Sequence, residues 1–347
     1  MKQLKLSILF LLLSFNSLSA IDYTDVNETR EFIEMMNKKF NYKKEYLYKL
    51  FKQVRENPQG HYKKTKKIVK PLSEEYRPQG SWDIFARVHL ENNQTDLGVE
   101  FMAEHKETLK KAYEEYGVPA EYITAIIGIE SHYGKNRGTY YVFDSLTHLS
   151  FGDHKRKKFY QYQLQEFLRM CFREQVEPRA IKGSKSGAIG LAQFMPSNYK
   201  SLAVDFNNDG KIRISQPIDA IGSVANYFKE NGWKNGEPVG TRVSYEGDRF
   251  YGLKTGYKHK YERRHLPNIS PKEGTFDYNK EVMLIKLERE KYDELWYGTH
   301  NFYVITRYNH SDYYAMAVHQ LAEKIKIDYK KKYLHKKENT LYASTIK

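Results

Sequence analysis

One carboxylic acid, Glu130, stands at the end of an apolar stretch in the segment AIIGIESHYG, where ionisation costs most. Ile123, Ile126 and Ile127 precede it at helical spacing, so a helix would place all four side chains on one face. Desolvation raises the pKa of a carboxyl in such surroundings, and a raised pKa is what a general acid needs near neutral pH. By spacing alone, a glutamate that reaches water or pairs with a lysine or arginine is the more common arrangement.

The segment GSKSGAIGLAQFMP, residues 183–196, combines small residues with side chains that could line a ligand site. Gly187, Ala188 and Gly190 would let the backbone approach a bound molecule closely. A tight turn followed by a helix from about Leu191 explains the same residues with no ligand. The pattern by itself favours that turn.

A third pattern, DFNNDGKIRISQPID, spans residues 205–219 and begins like the calcium loop of an EF-hand. Asp205, Asn207 and Asp209 stand at loop positions 1, 3 and 5, and Gly210 stands at position 6, where such a loop bends sharply. The glutamate that is usual at position 12 is replaced by Gln216. The pattern leaves two interpretations open, an oxygen-ligated cation site and a turn rich in Asp and Asn that holds no ion.

Helices must position these residues, and the apolar periodicity predicts a mainly α-helical chain. Helical spacing covers residues of about 21–60, 84–116, 119–131, 158–175, 217–230 and 313–322. Between residues 237 and 300, glycine, proline, tyrosine and charged residues dominate, and runs such as KEVMLIKLE predict a small β-containing insertion.

The ends and the composition indicate an exported protein. Residues 1–20 contain two lysines, an apolar stretch and small residues ending at Ala20, which is the layout of a secretory signal peptide. No cysteine follows this region, so we expect no lipid anchor there, and the single cysteine, Cys171, excludes an internal disulfide. The net charge of +14 favours polyanions, and an exported protein meets envelope polymers more readily than nucleic acid.

Three ordered blocks resemble the membrane-bound lytic murein transglycosylase B family, within the lysozyme-like superfamily. They are IIGIESHYGKNRG with FDSLTHLSF, the long block from KGSKSGAIGLAQFMP to VANYFKENGW, and NFYVITRYNHSDYYAMAVHQLA. Together they cover most of residues 117–235 and 300–322, whereas the first hundred residues and the insertion resemble the family only loosely.

The resemblance implies a lysozyme-like helical catalytic core with a flanking helical domain and the small β-containing insertion. On this basis we expect six segments. They are the signal peptide at 1–20, an N-terminal helical domain at 21–105, the core at 106–236, the insertion at 237–300, a return to the core at 301–325 and a basic tail at 326–347.

The resemblance also implies an activity, cleavage of the β-1,4 bond between N-acetylmuramic acid and N-acetylglucosamine in peptidoglycan with formation of a 1,6-anhydromuramoyl end. Glu130 matches the family's single catalytic acid and base. The positions that match the family's saccharide site are Ser184, Gln193, Phe194, Met195, Tyr227, Tyr308, Asn309, Tyr314 and Arg156. For any one of these tyrosines, core packing is the commoner role, and for Arg156 a solvated surface is an equal alternative.

The family's cation loop closes with a carboxylate at position 15, which implies a structural Ca²⁺ held by Asp205, Asn207, Asp209, the Lys211 carbonyl and Asp219. We expect no cofactor for catalysis, since the chain has no HExxH, P-loop or GxGxxG motif.

We therefore expect a periplasmic monomer that acts on peptidoglycan, binds no nucleic acid and could associate peripherally with the envelope. Two alternatives remain at this point, a goose-type muramidase that adds water on the same scaffold and a wall-binding scaffold without catalysis.

Overall fold

The computed structural model describes residues 20–56, 79–91, 93–247 and 249–334. The predicted signal peptide lies outside this part of the chain except for Ala20, and so does the predicted tail beyond residue 334. Among the described residues, no helix has the length and apolar character needed to cross a bilayer.

Helices dominate the described structure. In chain order they are α1 (Asn27–Phe40), α2 (Lys44–Phe51), α3 (Ser81–Leu90), α4 (Gln94–Glu104), α5 (Lys106–Tyr116), α6 (Ala120–Ser131), α7 (Val142–Phe151), α8 (Lys157–Glu174), α9 (Pro196–Leu202), α10 (Pro217–Glu230), α11 (His300–Tyr308) and α12 (Asp312–Tyr329). One π-helical turn, Lys330–Leu334, continues α12.

The strands of the described residues form two small pairs and one larger sheet, all antiparallel. They are β1 (Ala20–Ile21), β2 (Val54–Arg55), β3 (Tyr140–Tyr141), β4 (Lys182–Gly183), β5 (Gly240–Tyr245), β6 (Lys260–Tyr261), β7 (Ile269–Pro271), β8 (Val282–Glu288) and β9 (Asp293–Gly298). The last five make one sheet in the order β6-β8-β9-β5-β7, so β6 and β7 are its edges.

Side chains on the two faces of this sheet belong to different hydrophobic clusters. On β8, Met283, Ile285 and Leu287 pack into the main helical core, whereas Val282 and Leu284 belong to a separate cluster within the insertion. This alternation follows from the two-residue period of a strand, which points successive side chains to opposite faces. The sheet is therefore anchored to the helices through one face and covered by its own loops on the other.

Helix α6 lies at the centre of the helical part, packed against α4, α5, α10 and α12. Every residue from Glu121 to Gly128 is buried, and Ile123, Ile126 and Ile127 are fully so. Burying each isoleucine contributes on the order of 1.5–3 kcal/mol relative to exposure. The helix is thus enclosed by its neighbours as far as Gly128, and Ile129 and Glu130 are half-buried.

The observed architecture confirms the predicted class, mainly α with a small β-containing part. One local prediction was wrong, because the helix expected from about Leu191 begins only at Pro196. Residues 189–194 instead form a tight turn closed by a bridge between Ile189 and Phe194. In that turn Gly190 has a φ of +76° and Gln193 a φ of +47°, and neither angle fits an α-helix.

Candidate active site around Glu130

Glu130 occupies the penultimate position of α6, where its side chain is half-buried. Burial raises the pKa of this carboxyl from an ordinary 4.5 to about 7, and a hydrogen bond from Tyr314 partly opposes the rise. Among the described residues, no lysine, arginine or histidine forms an ion pair with Glu130. The carboxyl therefore stays protonated to near neutral pH because it is desolvated and lacks a cationic partner.

Tyr314 reaches Glu130 from the first turn of α12. Its hydroxyl donates to Glu130 Oε1 at 2.5 Å, and the ring is buried. Ser311 caps this helix, since its hydroxyl accepts the backbone N–H of Tyr314 at 3.3 Å. The cap fixes the turn on which Tyr314 stands, so the hydrogen bond to the acid has a defined direction.

Two further tyrosines and a phenylalanine extend this aromatic wall. Tyr308, at the end of α11, lies nearly parallel to Tyr314 at a centroid distance of 6.4 Å, and Tyr227 of α10 lies 4.6 Å from Tyr308. Phe194 packs at about 6 Å against both Tyr227 and Tyr308. The hydroxyl of Tyr308 donates to the Ala192 carbonyl at 2.6 Å, which joins the wall to the turn before α9. The acid thus stands beside a rigid aromatic cluster.

Gln193 projects from the turn before α9 in a half-buried position. Its amide nitrogen donates to the Gly190 carbonyl at 2.9 Å and to the Arg137 carbonyl at 3.3 Å. Ser184 has a local role, because its hydroxyl accepts the backbone N–H of Ala188 at 2.9 Å and closes a turn. Gln193 therefore links the turn before α9 to the segment that follows α6, whereas Ser184 acts within its own turn.

Three predicted site residues stand apart from the contacts around Glu130. Met195 is half-buried at the start of α9. Asn309 is exposed at the end of α11. The guanidinium of Arg156 lies 4.1 Å above the ring of Phe159 on an exposed surface, and its described contacts do not reach Glu130.

The backbone after Glu130 contains a feature that the sequence analysis missed. His132 and Tyr133 both adopt left-handed backbone angles, with φ of 50° and 56°. Tyr133 folds back so that its hydroxyl donates to the Gln94 carbonyl at 2.7 Å. A Cβ at Gly128 would stand 2.5 Å from that hydroxyl. A glycine inside an apolar helix was the available sequence signal, since glycine there costs about 1 kcal/mol relative to alanine without a packing reason.

The loop 205–219 is organised by its acidic side chains. Asp205 accepts the N–H groups of Asp209 and Gly210 at 3.1 and 2.7 Å. The buried carboxylate of Asp219 accepts Phe206 N–H at 2.9 Å and Arg213 N–H at 2.6 Å, so it ties together both arms of the loop.

The donors of this loop are hard oxygens, which suit Ca²⁺. The loop brings these oxygen atoms together only in part, because the Asp209 carboxylate forms an ion pair with the Arg213 guanidinium. Within the described residues, no cluster of three His, Cys, Asp or Glu side chains is close enough to hold a metal ion.

Comparison with known proteins shows the family of the chain. Residues 25–323 match the family model of the transglycosylase SLT domain. The membrane-bound lytic murein transglycosylase B of Escherichia coli strain K12 is 40% identical over 259 residues, which cover 74% of this chain and 70% of that protein.

Solved structures agree in fold. The Escherichia coli lytic transglycosylase SLT35 in complex with calcium is 34% identical, with a TM-score of 0.80 over 91% of this chain and 98% of that one. SltB3 from Pseudomonas aeruginosa, in complex with NAG-NAM-pentapeptide, is 26% identical, with a TM-score of 0.73 over 86% of this chain and 79% of that one. The lysozyme-like expectation is thereby confirmed, and the chain belongs to the transglycosylase SLT domain family, a family of lytic transglycosylases.

Proposed function

We propose that this enzyme cleaves the β-1,4 bond between N-acetylmuramic acid and N-acetylglucosamine in peptidoglycan, with Glu130 as acid and then as base. The observation that carries the proposal is the half-buried Glu130 carboxyl, whose pKa is raised to about 7 and whose hydrogen-bond partner, within the described part of the chain, is a tyrosine hydroxyl. Such a group can give up a proton near neutral pH and take one back, because its pKa lies near that pH and no cation among the described residues pairs with its ionised form.

The reaction begins with the protonated carboxyl of Glu130. Its proton passes to the glycosidic oxygen as the bond from that oxygen to the muramic anomeric carbon breaks, and an oxocarbenium-like centre develops there. The carbonyl of the substrate's own N-acetyl group stabilises this centre, so no second enzyme carboxylate is required.

In the second step the ionised Glu130 removes the proton of the muramic 6-hydroxyl. That oxygen attacks the anomeric carbon and closes the 1,6-anhydro ring, which returns Glu130 to its protonated form without consuming water. The hydrogen bond from Tyr314 stabilises the ionised form of Glu130 between the two steps. This agrees with its effect on the pKa of the carboxyl, which it lowers.

The aromatic wall beside Glu130 supports a saccharide ligand. Tyr227, Tyr308 and Tyr314 have their hydroxyls bound to Arg307 O, Ala192 O and Glu130, so their rings are fixed in place. Tyr308 is half-buried and offers an apolar ring of the kind that suits the carbon–hydrogen faces of sugars, whereas Tyr227 and Tyr314 are buried and pack against it. Gln193 adds a neutral amide nearby, a group suited to hydroxyl and acetamido partners.

Digestion of purified sacculi tests the proposal. Products analysed by mass should end in anhydromuramic acid, and Glu130→Gln should release none. Reducing ends without anhydro ends would instead identify a muramidase that adds water. Binding to sacculi without release of any product by the parent enzyme would identify a wall-binding scaffold.

We further propose that loop 205–219 binds a structural Ca²⁺ through Asp205, Asn207, Asp209, the Lys211 carbonyl and Asp219. The donor types support this, and so does the left-handed bend at Gly210, whose φ is +82°. Binding would require Arg213 to release Asp209, since the two form an ion pair. The ion would stabilise the loop, and the proton transfers at Glu130 do not involve it.

A periplasmic site of action follows from the proposed substrate and from the signal-like residues 1–20. We propose a monomer that contacts peptidoglycan and, through its basic charge, other anionic parts of the envelope.

A further inference from the structure

The corner between α11 and α12 carries two of the side chains that lie beside Glu130. Tyr308 is the last residue of α11, and Tyr314 lies in the first turn of α12. The link between the two helices consists of residues 309–311, and its first two side chains are exposed. Such a link contributes little to the position of the helices, which therefore depends on what packs against their facing ends.

One contact to this corner comes from the β-containing insertion. The buried carboxylate of Asp312, the first residue of α12, accepts the backbone N–H of Tyr257 at 2.9 Å. The preceding residue, Gly256, donates its own N–H to the Leu284 carbonyl of β8 at 2.8 Å. Segment 256–257 is therefore tied to the large sheet through one residue and to α12 through the next.

Gly256 brings the insertion unusually close to α12. Its φ of +105° is an angle that residues with a side chain rarely adopt. A Cβ at this position would also stand 3.0 Å from Asp312 Oδ2, which is closer than an ordinary van der Waals contact. A side chain here would therefore push the insertion and the first turn of α12 apart.

A second contact holds the end of α11. The guanidinium of Arg307 lies 4.2 Å from the ring centroid of Tyr303, which also belongs to α11, and 5.3 Å from that of Tyr257. A cation in this position is attracted by the electron-rich faces of the rings. The Arg307 carbonyl in addition accepts the Tyr227 hydroxyl at 2.6 Å. The insertion thus contacts both helices of the corner, α11 at Arg307 and α12 at Asp312.

The position of the corner bears directly on the hydrogen bond between Tyr314 and Glu130. Tyr314 stands two residues after Asp312 in the same helical turn, and its hydroxyl lies 2.5 Å from Glu130 Oε1. A hydrogen bond of this length to a carboxylate is strong, and it weakens as the donor moves away from the acceptor. A small displacement of the first turn of α12 would therefore weaken it.

We propose that the insertion positions the first turn of α12 through the contact of Gly256 and Tyr257 with Asp312, and so keeps the Tyr314 hydroxyl directed at Glu130. Gly256 and Asp312 are positioning residues that act through Tyr314. The inference rests on the proposed function for the role of Glu130 as the acid. It gives the β-containing part of the chain an effect on that acid which is transmitted by packing.

The test measures the pKa of Glu130 in solution by nuclear magnetic resonance of protein labelled with carbon-13 at its glutamate carboxyls. The Glu130→Gln variant identifies the signal. The titratable groups that interact with this carboxyl are Tyr227, Tyr308 and Tyr314, and their pKa values are all raised. These tyrosines stay neutral while Glu130 titrates, so they add no charge of their own to the measurement.

Asp312→Ala should raise the pKa of Glu130 by about half a pH unit or more, as Tyr314→Phe does, because a hydrogen bond to the ionised carboxylate is weakened. Loss of the Asp312 charge and entry of water would both lower this pKa, so a rise identifies the hydrogen bond as the cause. In the Tyr314→Phe background, Asp312→Ala should produce no further rise, because the bond is already absent. The matched control, Asp96→Ala, removes an exposed carboxylate from the first turn of α4 and should leave the pKa of Glu130 unchanged.

Gly256→Ala tests the same contact from the side of the insertion and removes no charge. It should also raise the pKa of Glu130, because the added Cβ displaces Asp312. The matched control is Gly274→Ala, another insertion glycine with a left-handed φ of +62° but with no atom within 4 Å of an added Cβ. This control should titrate like the parent.

An unchanged or lowered pKa of Glu130 in either folded variant overturns the inference. A rise that persists at full size in the Tyr314→Phe background also overturns it. A parent enzyme that releases no product from sacculi would reject the proposed function instead. The carboxyl titration needs no substrate, so it decides on the positioning role whatever the outcome with sacculi.

Discussion

Replacing Glu130 with glutamine should stabilise the protein above neutral pH while abolishing activity. The carboxyl has a pKa of about 7 in the folded protein against an ordinary 4.5, so the folded state holds a proton that the unfolded state has lost between these values. The contribution of Glu130 to the stability of the parent therefore falls as pH rises from about 4.5 to about 7 and is constant beyond. At about 1.4 kcal/mol per pH unit, the difference corresponds to up to about 3 kcal/mol. Glutamine has nearly the same shape as glutamate but does not ionise, so the variant lacks this pH-dependent loss of stability.

Thermal unfolding of parent and variant between pH 4 and pH 9 measures this effect. The two midpoints should nearly coincide at pH 4, and the variant should unfold up to about 4 °C higher at pH 8, because the unfolding entropy of a chain of this length is about 0.7 kcal/mol per kelvin. Glu100→Gln, an exposed glutamate of α4, provides the control and should leave the parent's profile unchanged. A midpoint difference that does not depend on pH, or a variant less stable than its parent at pH 8, would refute the reasoning that burial raises the pKa.

Three further predictions concern the surroundings of the acid and the loop. Tyr314→Phe removes the hydrogen bond that lowers the pKa of the acid, so the alkaline limb of the rate–pH profile should move to higher pH as the maximal rate falls; an unmoved limb contradicts this role. Gly128→Ala places a Cβ 2.5 Å from the Tyr133 hydroxyl and should cost about 1–3 kcal/mol of unfolding free energy, whereas Gly252→Ala, with no atom within 4 Å, should be nearly neutral in denaturant titrations. Calcium at 100 times its Kd should raise the stability of the parent by about 2.7 kcal/mol, and Asp219→Asn should abolish that gain in calorimetry; an equal gain in the variant would exclude the loop.

Local periodicity was sufficient for much of the fold. Most of the predicted helical ranges contain helices, and α1, whose buried Phe32, Ile33 and Met36 recur at helical spacing, is the clearest case. Helices α7 and α11 were not predicted. The turn at residues 189–194 was missed, because Leu191 and Ala192 are strong helix formers that contacts elsewhere keep out of a helix. Leu191 N–H, for example, donates to the distant Ile214 carbonyl at 2.9 Å. Tertiary contacts of this kind override intrinsic propensity.

The amino-acid sequence alone determined that an acid would share a helical face with isoleucines, because that relation lies within one helix and depends only on its period. Only the tertiary structure decided what the acid touches. Tyr314 is 184 residues away along the chain, and it meets Glu130 because α12 packs against α6. The double left-handed turn at His132 and Tyr133 likewise depends on the space that Gly128 leaves for a ring folded back over α6. Spacing along the chain indicates which face of a helix a residue occupies, whereas packing between helices determines which residue it contacts.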